Sequence, residues 1–202
     1  MLNFIDFEVF RENWLCVIAN TDTQDFTIIV DDPEELRTYY EQHKDELFIG
    51  YNIRGYDSYI FKGILCGFDP FEISDFIIAK KQKGWQFSGA FREIKLNCYD
   101  VMTTFHSLKT LEGFMGSEIC ESSVPFDLDR PLTPDEINET IFYCQHDVEQ
   151  TMEVFMRRQS DFQSHLGLIR EFNLPLHYIE KSKAQLSAMI LGAREPGKPR
   201  VS

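Results

Sequence analysis

The order of patterns along this chain predicts an α/β fold: a mixed sheet with helices flanking it. Three short apolar runs follow one another at the start and suggest an antiparallel meander. Helical and strand patterns then alternate. A long amphipathic helix ending near residue 158 completes the set.

Residues 2–6 read as the first strand, "WLCVIAN" (14–20) as the second and "FTIIV" (26–30) as the third. The turn-rich "TDTQD" joins the last two. The stretch 31–44 starts a helix at Asp32 and Pro33 and carries acids in its first turn. An apolar strand follows at 46–52, then a helix at 56–67 that Gly67 ends, then another helix at 70–81. "GWQFSG" and "REIKLNCYD" (92–100) suggest a hairpin and a return strand, and 107–116 a short helix or turn. A polar loop covers 117–131. In 132–158, Thr133 as N-cap, Pro134 at N1 and Glu136 at N3 form a capping box. Ile137, Ile141, Cys144, Val148, Met152 and Phe155 give that helix an apolar stripe. A further helix is expected at 161–172, and a helical stretch in the tail before the polar "REPGKPRVS". The expected organisation is one domain over 1–172 with an extension or linker at 173–202.

The chain has 202 residues and 43% hydrophobic content, enough for one core. No run approaches the ~18–20 apolar residues of a membrane span. Asp6 and Glu8 interrupt the one early apolar run, which argues against a signal peptide. A soluble, cytoplasmic protein is expected. Five scattered cysteines without a CxxC argue against a disulfide framework and a structural zinc site. A net charge of −13 argues against gripping nucleic acid by bulk electrostatics, and suits an acidic site balanced by divalent metal.

Carboxylates occur in telling places. In "NFIDFEVF", Asp6 and Glu8 share one strand face opposite Phe7 and Val9. A solvated face would explain that pair alone. Asp57 begins a helix after "GYNIRGY", where a capping role would explain it alone. Tyr143 and Asp147 are i and i+4 and share a helix face beside the apolar stripe. His146 reads as a packing residue or a support beside a ligand, and Asp100 as mainly structural. Taken jointly, Asp6, Glu8, Asp57 and Asp147 can converge from three elements. Four such carboxylates cannot all stay ionised without counter-charge. Mg²⁺ or Mn²⁺ supplies it, and two ions about 3.5–4 Å apart suit in-line attack at phosphorus.

"FIDFE", "GYNIRGYD" and "YCQHD" together resemble the three motifs of the DEDD exonucleases, on a ribonuclease-H-like fold. Phe142 stands where one subgroup has histidine, so the resemblance is to the tyrosine subgroup. It is narrowest to the proofreading domain of phage-type family B DNA polymerases and spans roughly residues 2–160. "HSLKTLEGF" is similar to the element of those domains that contacts single-stranded DNA. Two departures stand out. Val9 replaces the usual threonine, and 117–129 has no lysine or arginine, leaving Lys109 and Arg130 as the nearest basic residues.

The resemblance implies removal of nucleotides from single-stranded DNA 3′ ends with two Mg²⁺ or Mn²⁺ ions. Asp6, Glu8, Asp57 and Asp147 are the implied ligands, and Tyr143 the residue that aims the attacking water or the scissile phosphate. Asn52, Tyr56, Ser107, Leu108 and Lys109 are the implied strand contacts. The implied partner is a polymerase module, in cis or in trans, in a phage or bacterial host cytoplasm. Two alternatives are an inactive module that binds nucleic acid or a polymerase, and an exoribonuclease of the same superfamily.

Overall fold

The computed structural model describes residues 1–23, 25–102, 107–115 and 122–192. Cys120, the first five residues of the expected polar loop (117–121) and the polar tail from residue 193 lie outside the described residues.

Strands β1 (Leu2–Val9), β2 (Trp14–Asn20) and β3 (Phe26–Val30) form the expected antiparallel meander. Helix α1 (Pro33–His43) leads to β4 (Leu47–Gly50), which pairs parallel with β1. Asp32 caps α1, its carboxylate accepting from the N–H groups of Glu34 and Glu35. Helices α2 (Asp57–Leu65) and α3 (Pro70–Ile78) carry the chain over the sheet to β5 (Asn97–Asp100), parallel to β4. The sheet order is β3-β2-β1-β4-β5, so β1 is central. This mixed sheet flanked by helices is compatible with a ribonuclease-H-like arrangement.

The expected hairpin before β5 is absent. Gly84–Gln86 and Gly89–Arg92 are 3₁₀ turns, and β5 enters the sheet without a hairpin partner. The aromatics explain the difference. Phe87 and Phe91 stack at 5.9 Å, and Phe68 meets both rings edge-on. Their apolar area is buried on the helical layer rather than in a strand ladder. Parallel β4 and β5 need a long crossover, which α2, α3 and these turns supply.

β1 sorts its side chains by parity. Ile5, Phe7 and Val9 face a core built with Leu36, Ile60, Phe61, Ile64 and Ile73. Phe4 faces the opposite core, with Val17, Ile49, Tyr99, Cys144, Val148 and Phe155. Asp6 and Glu8 follow Phe4 on this second face. The face is therefore apolar at its start and acidic at its end.

The long helix α5 (Pro134–Arg157) lies across that second face. Its capping box is formed as expected. Thr133 Oγ1 accepts from Glu136 N–H at 3.3 Å, and the Glu136 carboxylate accepts from Thr133 N–H at 2.8 Å. Burying Val148 and Phe155 contributes about 1.5–3 kcal/mol each. Helix α4 (Leu108–Met115) precedes α5 and packs on it. Helix α6 (Gln159–Glu171) follows it. The 3₁₀ turn Leu176–Glu180 and helix α7 (Lys183–Ile190) also pack on this core, with Ile179 and Leu186 buried. No helix among the described residues is long and apolar enough to cross a membrane.

Candidate functional site

The acidic end of β1 meets α5. One carboxylate oxygen from each of Asp6, Glu8 and Asp147 lies within 4.8 Å of the others. Strand parity points Asp6 and Glu8 at the helix, and the stripe of α5 sets the helix rotation that brings Asp147 over them. The pair on β1 therefore faces a helix and is half-buried rather than open to solvent.

Asp57 is not one of these three, but from the start of α2 it lies near enough for its charge to act on Asp6. Its side chain does not serve as the N-cap of α2; that position is Tyr56, which makes no side-chain capping bond. Asp57 is 4% exposed. Its Oδ1 accepts the N–H of Phe7 at 3.3 Å, the residue between Asp6 and Glu8. This bond ties the start of α2 to the middle of the acidic strand end.

The electrostatics follow from this crowding. Burial raises the Asp6 carboxyl well above its ordinary value, and the charges of Asp57, Glu8 and Asp147 raise it further. Burial, then Asp147 and Asp57, push Glu8 up to about 8, against the pull of Lys109. Asp57 is raised to about 7, again first by burial, with the N–H bonds from its own backbone and Phe7 opposing. Burial also raises Asp147, while Lys109 and His146 oppose. Burial and mutual repulsion thus disfavour the ionised form of each of these acids.

The strand-contact candidates separate. Lys109 joins the acidic group, as its effect on Glu8 and Asp147 shows. Ser107 instead starts α4, its Oγ accepting Thr110 N–H at 3.2 Å. Leu108 packs on the second core. Arg130 is engaged elsewhere, in a two-pronged ion pair with Glu136 at 2.8 Å. Of the two basic candidates, the structure brings Lys109 to the acids.

Tyr56 hydrogen-bonds Ser74 through its hydroxyl at 2.8 Å, and burial raises its pKa. Its ring helps line a cavity of about 570 Å³ with Glu8, Val9, Phe71, Ile78 and Phe126. Val9 gives this wall a methyl surface. Arg11 lies 5.0 Å over the Phe71 ring. Asn52 is not beside Tyr56 in this cavity. It has a left-handed backbone, φ 60°, and lines a separate cavity of about 580 Å³ with Lys81, Lys83 and Trp85. Asp100 is structural as expected, accepting the N–H groups of Asn52, Arg54 and Met102 at 2.9–3.2 Å. A larger cavity of about 700 Å³, beside Leu2, Leu47 and Phe162, is lined by none of these site residues.

Tyr143 lies one turn before Asp147 on α5, half-buried, with Phe142 edge-on at 5.6 Å. Two further contacts escape sequence reasoning. Cys144 Sγ is 3.4 Å from the Asp6 carboxylate and 3.6 Å from the Asp6 carbonyl. Its thiol is a donor to Asp6, whereas its place in the apolar stripe marks it only as core. Glu112 of α4 is fully buried and lies against His146 and Asp147. Nothing in the spacing of Glu112 links it to the third motif. Comparisons with protein families, with curated proteins and with solved structures find no match to this chain.

Proposed function

We propose that this chain is a metal-dependent 3′–5′ exonuclease that removes nucleotides from single-stranded DNA 3′ ends, proofreading for a family B DNA polymerase. The observation that carries the reading is the meeting of Asp6, Glu8 and Asp147 at one point, with Asp57 behind them. Their donors are carboxylate oxygens alone, which suits hard Mg²⁺ or Mn²⁺. Burial first, and then neighbouring acids, raise their carboxyls, and a bound cation would offset both. On both counts the residues fit divalent ions.

Asp6, Glu8 and Asp147 would hold one ion, and Asp6 with Asp57 a second. When bound, such ions supply Lewis acidity and an activated water for attack at phosphorus. The chain's own side chains then position the substrate. Tyr143, on the face of Asp147, hydrogen-bonds the scissile phosphate and orients it. Lys109 adds a positive charge where the phosphate backbone must pass so acidic a surface. The cavity beside Glu8 and Tyr56 accepts the terminal base against Val9, Phe71 and the Tyr56 ring, where stacking contributes about 1–3 kcal/mol. Net charge is no obstacle, because the grip is local.

The test is digestion of a 5′-labelled single-stranded DNA with Mg²⁺ or Mn²⁺, beside an RNA of the same sequence. A ladder shortening from the 3′ end of DNA is expected. No shortening with either ion, or faster shortening of RNA, would overturn the reading. Tyr143→Phe is expected to slow digestion about tenfold, the loss of one hydrogen bond. A rate as low as that of an Asp147 variant would count against the positioning role.

A further inference from the structure

Behind the acidic group, α4 and α5 bury a second set of donors. Glu112 is 0% exposed, and neither of its carboxylate oxygens has a hydrogen-bond partner among the described residues. The buried Nε2 of His146 likewise has none. Ligand atoms of Glu112, His146 and Asp147 all lie within 4.8 Å of one another. Even with the Lys109 charge nearby, a buried carboxylate with neither oxygen hydrogen-bonded is costly, and an imidazole nitrogen left bare beside it adds to the cost. One cation between them would satisfy all three side chains.

We propose that Glu112, His146 and Asp147 form a second metal site, adjoining the all-carboxylate group and sharing Asp147 with it, for a borderline first-row divalent ion of the Zn²⁺ class. The donor set decides the class. One imidazole nitrogen with two carboxylate oxygens suits Zn²⁺, whereas Mg²⁺ and Ca²⁺ prefer oxygen alone. Such a site needs no cysteine. Glu112 comes from α4, and His146 and Asp147 from α5, so the ion is a cross-link between two helices. It also fixes the helix that carries Lys109. The site stands whether or not the chain cuts nucleic acid.

The test uses the full chain, freed of metal and titrated with Zn²⁺. Histidine ring nitrogens are followed by NMR, and the thermal midpoint is read in parallel. Zn²⁺ is expected to shift a ring nitrogen of His146, a signal identified by its loss in His146→Gln. It is also expected to raise the midpoint by about 5 °C. Glu112→Gln, which keeps the shape and removes the charge, is expected to weaken the NMR-detected binding at least tenfold. Asp6→Asn, which disables the neighbouring group, is expected to leave the His146 shift in place. The proposal is overturned if the His146 nitrogens do not move, if Glu112→Gln binds as the parent does, or if Asp6→Asn abolishes the shift. Loss of nuclease activity in Asp6→Asn with the His146 shift intact separates the two sites.

Discussion

Under the proposed function, Asp6→Ala is expected to abolish nuclease activity, a loss of about 1000-fold or more, and to leave the chain folded. Asp6 is the residue on which the other acids act: Asp57, Glu8 and Asp147 all raise its carboxyl. It is also the carboxylate assigned to both ions. Losing several kcal/mol of charge stabilisation at phosphorus accounts for a rate change of that size. Stability moves the other way. Removing one of four crowded carboxylates relieves repulsion, so circular dichroism and the thermal midpoint of the metal-free variant should equal or exceed the parent's. Asp147→Ala is expected to lose activity to the same degree. If either variant digests labelled single-stranded DNA at the parental rate, the acidic group is not the catalytic centre.

Without divalent ions, the protein is expected to lose stability as pH rises from about 4 to about 8. Glu8 has an ordinary value of 4.5 and is raised to about 8 in the fold, and Asp57 goes from 3.8 to about 7. The folded chain therefore holds protons that the unfolded chain has released. Their stabilisation is complete below the unfolded values and is lost as pH passes the folded ones. His165, lowered first by burial, works in the opposite sense below its ordinary 6.5. Glu8→Gln isolates the acidic contribution, because it should flatten the decline while His165 is unchanged. Adding Mn²⁺ at pH 8 should restore the midpoint. A chelator-treated parent as stable at pH 8 as at pH 5, with Glu8→Gln identical to it, would refute this account.

Most of the fold was legible because its signals are local. The capping box at Thr133 and Glu136, the Asp32–Pro33 start and the parity of β1 each involve residues a few positions apart. The acids of the three motifs were legible for the same reason. Strand parity aimed Asp6 and Glu8, and helical periodicity placed Tyr143 and Asp147 on one line. What failed depended on packing between distant segments. Phe87 and Phe91 preferred the helical layer around Phe68 to a hairpin. Glu112 and Cys144 met their partners only through the docking of α4 and α5.

The central position of β1 makes the chemistry hostage to threading. A slip of one residue along its ladder with β2 would carry Asp6 and Glu8 into the layer now filled by Ile5 and Phe7, against Phe61. It would also bring Phe7 round to the helix bearing Asp147. Two buried carboxyls in hydrocarbon, and an aromatic ring in place of the acids beside Asp147, would penalise that mispaired state doubly. The same acids that burden the finished structure therefore help to select it from its nearest misfolded neighbour, so neutralising them trades fidelity of folding for firmness of the fold.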